Sequence, residues 1–277
     1  MVSCITMRDY HLHTSLCKHA TGTMEEYVEA AIENGMTEIC FTDHIPLPNG
    51  EDSDHRMKLE EMEFYLEQIA ILNRKYREIP ILAGIEADYV EGYESYLEDF
   101  ISSFHFDLVI MSVHYIKKWA NEKWIFDYEY TDETLPHQYG DYFDTVFKGV
   151  KTGLFDVVGH LDLIKRPRYS VLYSNHRKVG KILDAMKKHN MSLELNTSGL
   201  RKPINETYPS LDIIKLAVKR GIPITLASDA HRPEHVGYQF DWLVNRLFQF
   251  PDLKLAQYSK RKCVSRTLVQ PGTGDTF

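Results

Sequence analysis

Histidine carries the first functional signal in this sequence. His11 and His13 stand two residues apart, which places both imidazoles on the same side of a strand, close enough to share one cation. Asp229 and His231 repeat this spacing with a carboxylate and an imidazole. His19 lies six residues after His13, in a loop that can fold back over the same position. Together these residues predict a metal site.

Further ligand-type side chains follow short apolar runs. Asp43 and His44 end one such run, and Glu86 follows another. A carboxylate there can bridge two cations, a role that imidazole cannot fill. Taken singly, each histidine is more simply explained as a hydrogen-bonded core residue, but the set would need the same coincidence on six predicted strands. The nine candidate ligands are His11, His13, His19, His44, Glu86, His114, His160, Asp229 and His231.

Such a ligand set indicates several metal ions. One tetrahedral site takes about four ligands, so nine candidates indicate two or three ions. Imidazole combined with carboxylate suits zinc, iron or manganese better than calcium or magnesium. Clustered cations lower the pKa of bound water from about 15.7 towards about 7, so that hydroxide can attack a phosphomonoester. Cys17 is the competing nucleophile, but it lacks the Cys-x5-Arg spacing of cysteine phosphatases.

The elements that must position these residues alternate along the chain. Seven apolar runs rich in β-branched residues predict strands, and segments with helical spacing lie between them. The predicted strands are Met7–His11, Glu38–Phe41, Ile81–Ile85, Phe106–Val113, Phe155–Val158, Met191–Leu195 and Ile222–Ala227. The predicted helices are Met24–Asn34, Leu59–Tyr76, Tyr93–Ser103, Glu133–Lys151, Asn175–His189 and Tyr208–Lys219. This order indicates parallel strands with helical crossovers.

An open doubly wound sheet and a closed barrel both satisfy that order. Nearly every predicted strand ends in a polar group of catalytic type, and a barrel brings all strand ends around one mouth. We therefore predict an α/β fold, a distorted (β/α)7 TIM-like barrel, as a single domain spanning residues 1–277. The tail, with Leu253–Tyr258 and Cys263–Val269, is predicted to form a terminal hairpin or a cover over the barrel bottom.

Composition restricts the partners and the compartment. Lys and Arg number 32 against 40 Asp and Glu, a net charge of −8 that disfavours nucleic-acid binding. No signal-peptide pattern and no run of 18 apolar residues is present, so we expect no membrane partner. The four cysteines are far apart and contain no CxxC pair, which favours a reducing, cytoplasmic location: Cys4, Cys17, Cys40 and Cys263. The oligomeric state is not predicted.

The motifs HLHT, TDH, GIE, SVH, GHLD and SDAH, in this order over residues 8 to 237, resemble those of the PHP (polymerase and histidinol phosphatase) superfamily. HYI at 114–116, GHLDLI at 159–164 and LELNTSGLRK at 193–202 resemble its histidinol-phosphate phosphatase branch. The insert Lys117–Tyr130, with Trp119 and Trp124, does not align with that branch.

The resemblance implies three divalent metal ions (Zn, Fe or Mn). It assigns His11, His13, Glu86 and Asp229 to one ion, Glu86, His114 and His160 to a second, and His19, His44 and His231 to a third. The implied activity is hydrolysis of L-histidinol phosphate, a small phosphomonoester, in histidine biosynthesis. Glu86, Asp229 and His231 are the expected catalytic residues.

Substrate contacts are expected from a second group of residues. Arg166 and the pair Arg201-Lys202 are candidate phosphate clamps, the arginines because a guanidinium can bind two oxygens. Asp88 is expected to orient a metal ligand or to bind the substrate ammonium. The remaining candidates are Asn196 and Ser198 for phosphate or metal-bound water, and Tyr115, Trp119 or Trp124 for the substrate ring.

Three alternatives remain open. A PHP-type phosphodiesterase or exonuclease would need a basic groove for nucleic acid. A phosphatase of other small phosphomonoesters would use the same metal site without selecting histidinol phosphate. A non-catalytic binding module would show degenerate motifs, and none of the motifs quoted above is degenerate.

Overall fold

Seven parallel strands carry the fold in chain order. The computed structural model describes residues 6–117, 119, 124–167 and 171–269, with only the backbone described for 171–174. Cys4 and positions 118 and 120–123 of the predicted insert lie outside the described residues. The parallel strands are β1 (Arg8–Leu12), β2 (Glu38–Phe41), β3 (Ile81–Asp88), β4 (Leu108–Ser112), β5 (Val157–Val158), β6 (Ser192–Asn196) and β7 (Ile224–Ala227).

A helix follows each of these strands. The helices are α1 (Met24–Glu33), α2 (Met62–Lys75), α3 (Glu94–Ser103), α4 (Leu135–Thr152), α5 (Val171–Lys188), α6 (Leu211–Val218) and α7 (Phe240–Leu247). Thr23 and Glu26 begin α1 with a capping box, in which each side chain accepts a hydrogen bond from the other's backbone N–H. The sequence analysis missed α7, although Phe240, Leu243, Val244 and Leu247 have helical spacing and are buried.

The sheet curves until its first and seventh strands meet, but the ladder does not close. A single parallel bridge joins Leu12 to Ala230, just beyond β7. The amide of His13 donates to the carbonyl of Ala230 at 3.0 Å, and the amide of Ala230 donates to the carbonyl of His11 at 3.3 Å. The predicted seven strand–helix units are confirmed, whereas the continuous ladder of a closed barrel is not present between β1 and β7.

The C-terminal tail is both a hairpin and a cover over the barrel bottom, the two alternatives expected for it. Strands β8 (Lys254–Ser259) and β9 (Lys262–Thr267) form an antiparallel hairpin, and β8 extends the sheet beside β7. The turn of this hairpin covers the amino ends of the central strands. Arg261 binds the carboxylate of Asp156 through Nε at 2.9 Å and through Nη2 at 3.0 Å. Within the described residues, no helix is long and apolar enough to cross a membrane.

Two glycines of α4 provide a test of how tightly this helix packs on the sheet. A Cβ at Gly149 would lie 2.7 Å from Sδ of Met111 and 2.8 Å from Cγ of Tyr89. A Cβ at Gly140 would meet only Nζ of Lys178, at 3.6 Å.

We expect Gly149→Ala to lower the free energy of unfolding by about 1–2 kcal/mol, because overpacking outweighs the gain in helix propensity. The control Gly140→Ala should raise it by up to about 1 kcal/mol. Urea unfolding at a fixed metal concentration measures both values. Equal stabilisation by the two substitutions would contradict the close packing of α4 on β4.

Candidate metal centre

Glu86, in β3, lies buried at the centre of the candidate ligands. Its Oε1 is 2.9 Å from Nε2 of His160, and its Oε2 is 2.9 Å from Nδ1 of His44. The same Oε2 is 3.4 Å from Nε2 of His11 and 3.6 Å from Nε2 of His13. These imidazoles belong to β1, β2 and β5 or to the residues that directly follow them. Glu86 therefore contacts three other strand ends at once.

The remaining ligand atoms surround this centre. Nε2 of His13 is 3.3 Å from Oδ1 of Asp229, and Nε2 of His114 is 3.9 Å from Oε1 of Glu86. Two predicted ligand sets each have donor atoms within 4.8 Å of one another: His11 with His13 and Asp229, and His19 with His44 and His231. The structure brings all nine predicted ligands to one mouth. That they bind metal stays a prediction.

The donor atoms fit divalent cations. Nε2 of His11, Nε2 of His13 and Oε2 of Glu86 are buried and have no hydrogen-bond partner among the described residues. Ligands about 2.05 Å from a tetrahedral zinc ion lie about 3.4 Å apart. The His11–Glu86 separation of 3.4 Å and the His13–Asp229 separation of 3.3 Å match that spacing. Buried unpaired donors at ligand spacing are what a cation site requires.

The protonation states of Glu86, His44 and His231 suit coordination. Burial favours protonation of Glu86, but His44 and His11 outweigh it and hold the pKa of Glu86 well below its usual range. Burial lowers the pKa of His44 to about 4, although Glu86 opposes this shift. Burial and the neighbouring His13 also lower the pKa of His231. Ionised carboxylate and neutral imidazole are the forms that bind metal ions.

Carboxylates behind the ring fix the orientation of its imidazoles. Oε2 of Glu194 lies 2.7 Å from Nδ1 of His11, and Oδ1 of Asp88 lies 2.8 Å from Nδ1 of His114. In both pairs the Nδ1 contact turns Nε2 towards Glu86. Carboxylate–histidine–metal arrangements use such contacts to set the tautomer and the direction of the ligand. The sequence analysis missed Glu194, although it precedes Asn196 by two residues on the same face of β6.

Asp43 and Cys17 lie behind His13. Oδ1 of Asp43 is 3.5 Å from Nδ1 of His13 and accepts a hydrogen bond from the amide of His44 at 2.9 Å. Asp43 thus supports two ligands without facing the centre itself. Cys17 is fully buried, and its sulfur lies within 4.8 Å of donor atoms of His13 and His231. A buried thiol cannot reach a substrate, so the structure does not support the nucleophile alternative.

Comparison with known proteins identifies the family. A model of the PHP domain matches residues 9–198. The chain belongs to the PHP domain family. A relative from Deinococcus radiodurans named "Probable histidinol-phosphatase" is 40% identical over 236 residues, which cover 84% of this chain and 89% of the relative. The histidinol-phosphatase of Bacillus subtilis is 28% identical over 264 residues, which cover 86% of this chain and 98% of the relative.

A solved structure matches the fold of this PHP-domain protein. It is histidinol phosphate phosphatase from Lactococcus lactis, complexed with zinc, L-histidinol and phosphate. The TM-score is 0.78 at 24% identity, and the match covers 94% of this chain and 99% of the other. The predicted TIM-like class is confirmed, as is the resemblance to histidinol-phosphate phosphatases predicted from the motifs.

Asn196 and Ser198 both donate hydrogen bonds to Asp229, one of the predicted metal ligands. Nδ2 of Asn196 donates to Oδ2 of Asp229 at 3.2 Å, and Oγ of Ser198 donates to the same oxygen at 3.1 Å. Both residues are buried, and neither lines the pocket at the metal centre. Their contacts orient Asp229, and their expected binding of phosphate or metal-bound water stays a prediction.

The two arginines expected to clamp phosphate donate to backbone carbonyls, and their contact with phosphate stays a prediction. Nη2 of Arg201 donates to the carbonyls of Ser228 at 2.8 Å and Asp229 at 3.0 Å. These bonds secure a left-handed backbone at Asp229, where φ is 53°. Arg166 donates through Nη2 to the carbonyl of Ile125 at 3.1 Å. Its guanidinium also lies 3.9 Å from the centre of the Tyr130 ring, so Arg166 secures the described end of the insert.

Asp88 and Tyr115, two further candidates for substrate contact, lie outside the lining of the metal pocket. Asp88 is fully buried, and its Oδ2 is 2.7 Å from Nη1 of Arg56. With both oxygens engaged inside the protein, Asp88 has the orienting role and not the ammonium contact. Tyr115 lines a neighbouring cavity rather than the metal centre.

Two cavities open at the mouth of the barrel. The metal pocket is the space of about 180 Å³ between the ligand ring, Trp124, Phe126, Leu163 and Lys202. The acidic cavity is the space of about 490 Å³ lined by Glu51, Asp52, Tyr93, Tyr115, Lys117, Trp124 and Asp127, among others. Trp124 separates the two. Lys202 is thus the cationic side chain that faces the metal pocket, next to the arginine that the sequence analysis favoured.

Replacing Glu194 tests the support behind the ring. Glu194→Gln should lower the affinity for zinc or manganese about ten- to a hundredfold, because His11 loses the carboxylate that directs its Nε2. Competition with a chromogenic chelator measures this affinity. Glu38 is a matched control, since it is a buried carboxylate of β2 bound to Arg8 and Tyr10 away from the ring. Equal loss of metal by Glu38→Gln would indicate general destabilisation.

Proposed function

We propose that this PHP-domain protein is a metal-dependent phosphomonoesterase that hydrolyses L-histidinol phosphate in histidine biosynthesis. The observation that carries the proposal is the buried ring of ligand-type side chains around Glu86, with unpaired donor atoms at metal–ligand spacing. The names of the relatives from Deinococcus radiodurans and Bacillus subtilis support the substrate. The reaction consumes water and releases L-histidinol and inorganic phosphate.

The ligand ring is proposed to hold three divalent cations. Zinc is the first choice, because imidazole and carboxylate suit it and because the Lactococcus lactis enzyme is complexed with zinc. Iron and manganese suit the same ligands. When bound, such cations stabilise negative charge on phosphoryl oxygens and lower the pKa of water. The protein's part is to fix their positions through Glu86, Asp229 and the seven imidazoles.

Lys202 is proposed to attract the phosphate group. It lines the metal pocket and is open to solvent, with its Nζ 5.0 Å from the centre of the Phe126 ring. Its ammonium can approach a phosphate oxygen as a point charge. The guanidinium groups of Arg166 and Arg201 donate to carbonyls, but Nη1 of Arg201 is buried without a hydrogen-bond partner among the described residues, so Arg201 remains a second candidate for the phosphate.

The acidic cavity is proposed to receive the cationic half of the substrate. Glu51, Asp52 and Asp127 contribute three carboxylates to its lining against one lysine, Lys117, and because Asp52 is already paired with Arg56, Glu51 and Asp127 are the candidates for the cation. The rings of Tyr93, Tyr115 and Trp124 surround them. Carboxylates and aromatic faces are the groups that bind ammonium and imidazolium ions. These residues replace Asp88 as candidates for recognising histidinol.

The same features argue against a nucleic-acid substrate. A polyanion needs a basic groove, whereas the metal pocket is small and the cavity beside it is acidic. A small phosphomonoester can place its phosphate in the metal pocket and its cationic half in the acidic cavity. The absence of a nucleic-acid partner, the single domain and the cytoplasmic location remain predictions, the last supported by buried, unpaired Cys17 and Cys40.

Removing the metal tests the proposed reaction. Protein stripped by a chelator should lose phosphate release from histidinol phosphate and regain it with zinc, iron or manganese. On the restored protein, kcat/KM for histidinol phosphate should exceed that for p-nitrophenyl phosphate or glycerol phosphate about tenfold or more. Full turnover without metal would overturn metal dependence. Equal rates across the substrates would indicate a general phosphatase, and cleavage of oligonucleotides alone would indicate an exonuclease.

Neutralising the acidic cavity tests the site for the cationic half. Glu51→Gln and Asp127→Asn should each raise KM for histidinol phosphate about three- to tenfold, equivalent to about 0.7–1.4 kcal/mol for a solvent-screened contact. Neither substitution should change KM for glycerol phosphate, which lacks a cation. Asp54→Asn is the control, since Asp54 is an exposed carboxylate of the same loop outside the cavity lining. An equal effect on both substrates would place the cationic half elsewhere.

A further inference from the structure

Arg56 is a buried arginine that none of the roles above uses. Its side chain is 1% exposed, and it lies between two carboxylates. Nε donates to Oδ2 of Asp52 at 2.8 Å, and Nη1 lies 2.7 Å from Oδ2 of Asp88. Nη1 also donates to the carbonyl of Ile45 at 3.2 Å. A buried guanidinium is costly unless it is paired, so these contacts hold Arg56 in one position.

One of these carboxylates leads to the metal centre. Oδ1 of Asp88 lies 2.8 Å from Nδ1 of His114 and accepts a hydrogen bond from the His114 amide at 3.1 Å. Asp88 thus holds both the ring and the backbone of a predicted ligand. Its other oxygen is held by Arg56. The direction of the His114 ring therefore depends on Arg56 through one intermediate residue.

The other carboxylate leads to the wall of the metal pocket. Nε1 of Trp124 donates to Oδ1 of Asp52 at 3.2 Å, while Oδ2 of Asp52 accepts from Arg56. The Trp124 ring stacks on His114, with ring centres 5.1 Å apart and planes 29° apart. The contacts therefore form a closed circuit from Arg56 through Asp88, His114, Trp124 and Asp52 back to Arg56.

We propose that Arg56 is a positioning residue that couples the pocket wall formed by Trp124 to the orientation of the metal ligand His114. The proposal rests on the proposed metal-dependent function, because His114 acts there as a ligand. A guanidinium suits this task, since its planar fork reaches two carboxylates in fixed directions. A lysine offers a single nitrogen and cannot hold both carboxylates in that geometry. A movement of Trp124 is then coupled to a loss of the His114 orientation.

Variants of the circuit distinguish coupling from simple stabilisation. Arg56→Lys keeps the charge and removes the fork. Asp52 contacts neither His114 nor Asp88, so Asp52→Asn weakens its contacts with Trp124, with Arg56 and with His55, whose Nδ1 lies 2.7 Å from Oδ1 of Asp52. Arg261→Lys is the matched control, because Arg261 binds Asp156 through two nitrogens at the opposite end of the strands. For each protein, zinc affinity is measured by chelator competition without substrate, and thermal unfolding is followed in parallel.

Arg56→Lys should lower the affinity of the weakest bound zinc ion about ten- to a hundredfold. Asp52→Asn should lower the same affinity at least threefold, and the double variant should be no worse than Arg56→Lys alone, because both act on one circuit. Arg261→Lys should leave zinc affinity unchanged. Wild-type zinc affinity in Arg56→Lys, or an equal loss in Arg261→Lys, would overturn the proposal.

If Arg56→Lys does not fold, Asp52→Asn decides the question, since unchanged zinc affinity in that variant also overturns the coupling. The binding measurement contains no phosphate ester. Failure of the wild-type protein to hydrolyse histidinol phosphate would therefore count against the proposed substrate and leave this inference standing. Failure of the wild-type protein to bind zinc would remove the basis of both.

Discussion

Glu86 places a carboxylate where water does not reach it, and the mouth of the barrel is arranged around that charge. Removing one ion from water costs several kcal/mol, and one attraction at 4 Å returns only about 4 kcal/mol at an effective dielectric constant of 20. A single partner is therefore insufficient. Imidazoles from β1, β2 and β5 approach Glu86 within 2.9–3.6 Å. Each strand end must stay in register, because a displaced strand would leave the charge uncompensated.

The carboxylates behind the ligand ring show that the imidazoles alone do not balance the buried negative charge. Burial lowers the pKa of His11, but Glu194, Glu86 and Asp229 outweigh it, so that without metal the ring draws in protons. Bound divalent cations would replace those protons and would satisfy the unpaired donor atoms at the same time. Glu194, Asp88 and Asp43 then orient ligands instead of competing for charge. Metal binding and stability of the mouth are thus expected to be linked.

The clustering of the predicted ligands could be foreseen from the sequence because strand alternation is a local rule. Two residues that are two positions apart in a strand lie on the same face, as His11 and His13 do. The same rule would have identified Glu194, two positions before Asn196. The backbone contacts of Arg166 and Arg201 were not predictable in this way, and for Asp88 the sequence left both the orienting role and the ammonium contact open. Sequence gives the type of a side chain, but its availability depends on which carbonyls or charges the fold places beside it. Strand β3 continues to Asp88, three residues beyond the predicted end, and this extension turns Asp88 inward beneath His114.

The two ends of the strands use the same residue types for different purposes. At the amino ends, Glu38 is bound by Arg8 and Tyr10, and Asp156 by Arg261, so these buried carboxylates are fully paired. At the carboxyl ends, Glu86, His11 and His13 keep donor atoms without partners in the part of the chain that the structure describes. Burial of charge is therefore not what marks the functional end. Unpaired donor atoms clustered at metal–ligand spacing are the distinguishing property, because a buried unpaired atom is costly and a cation can complete several of them at once.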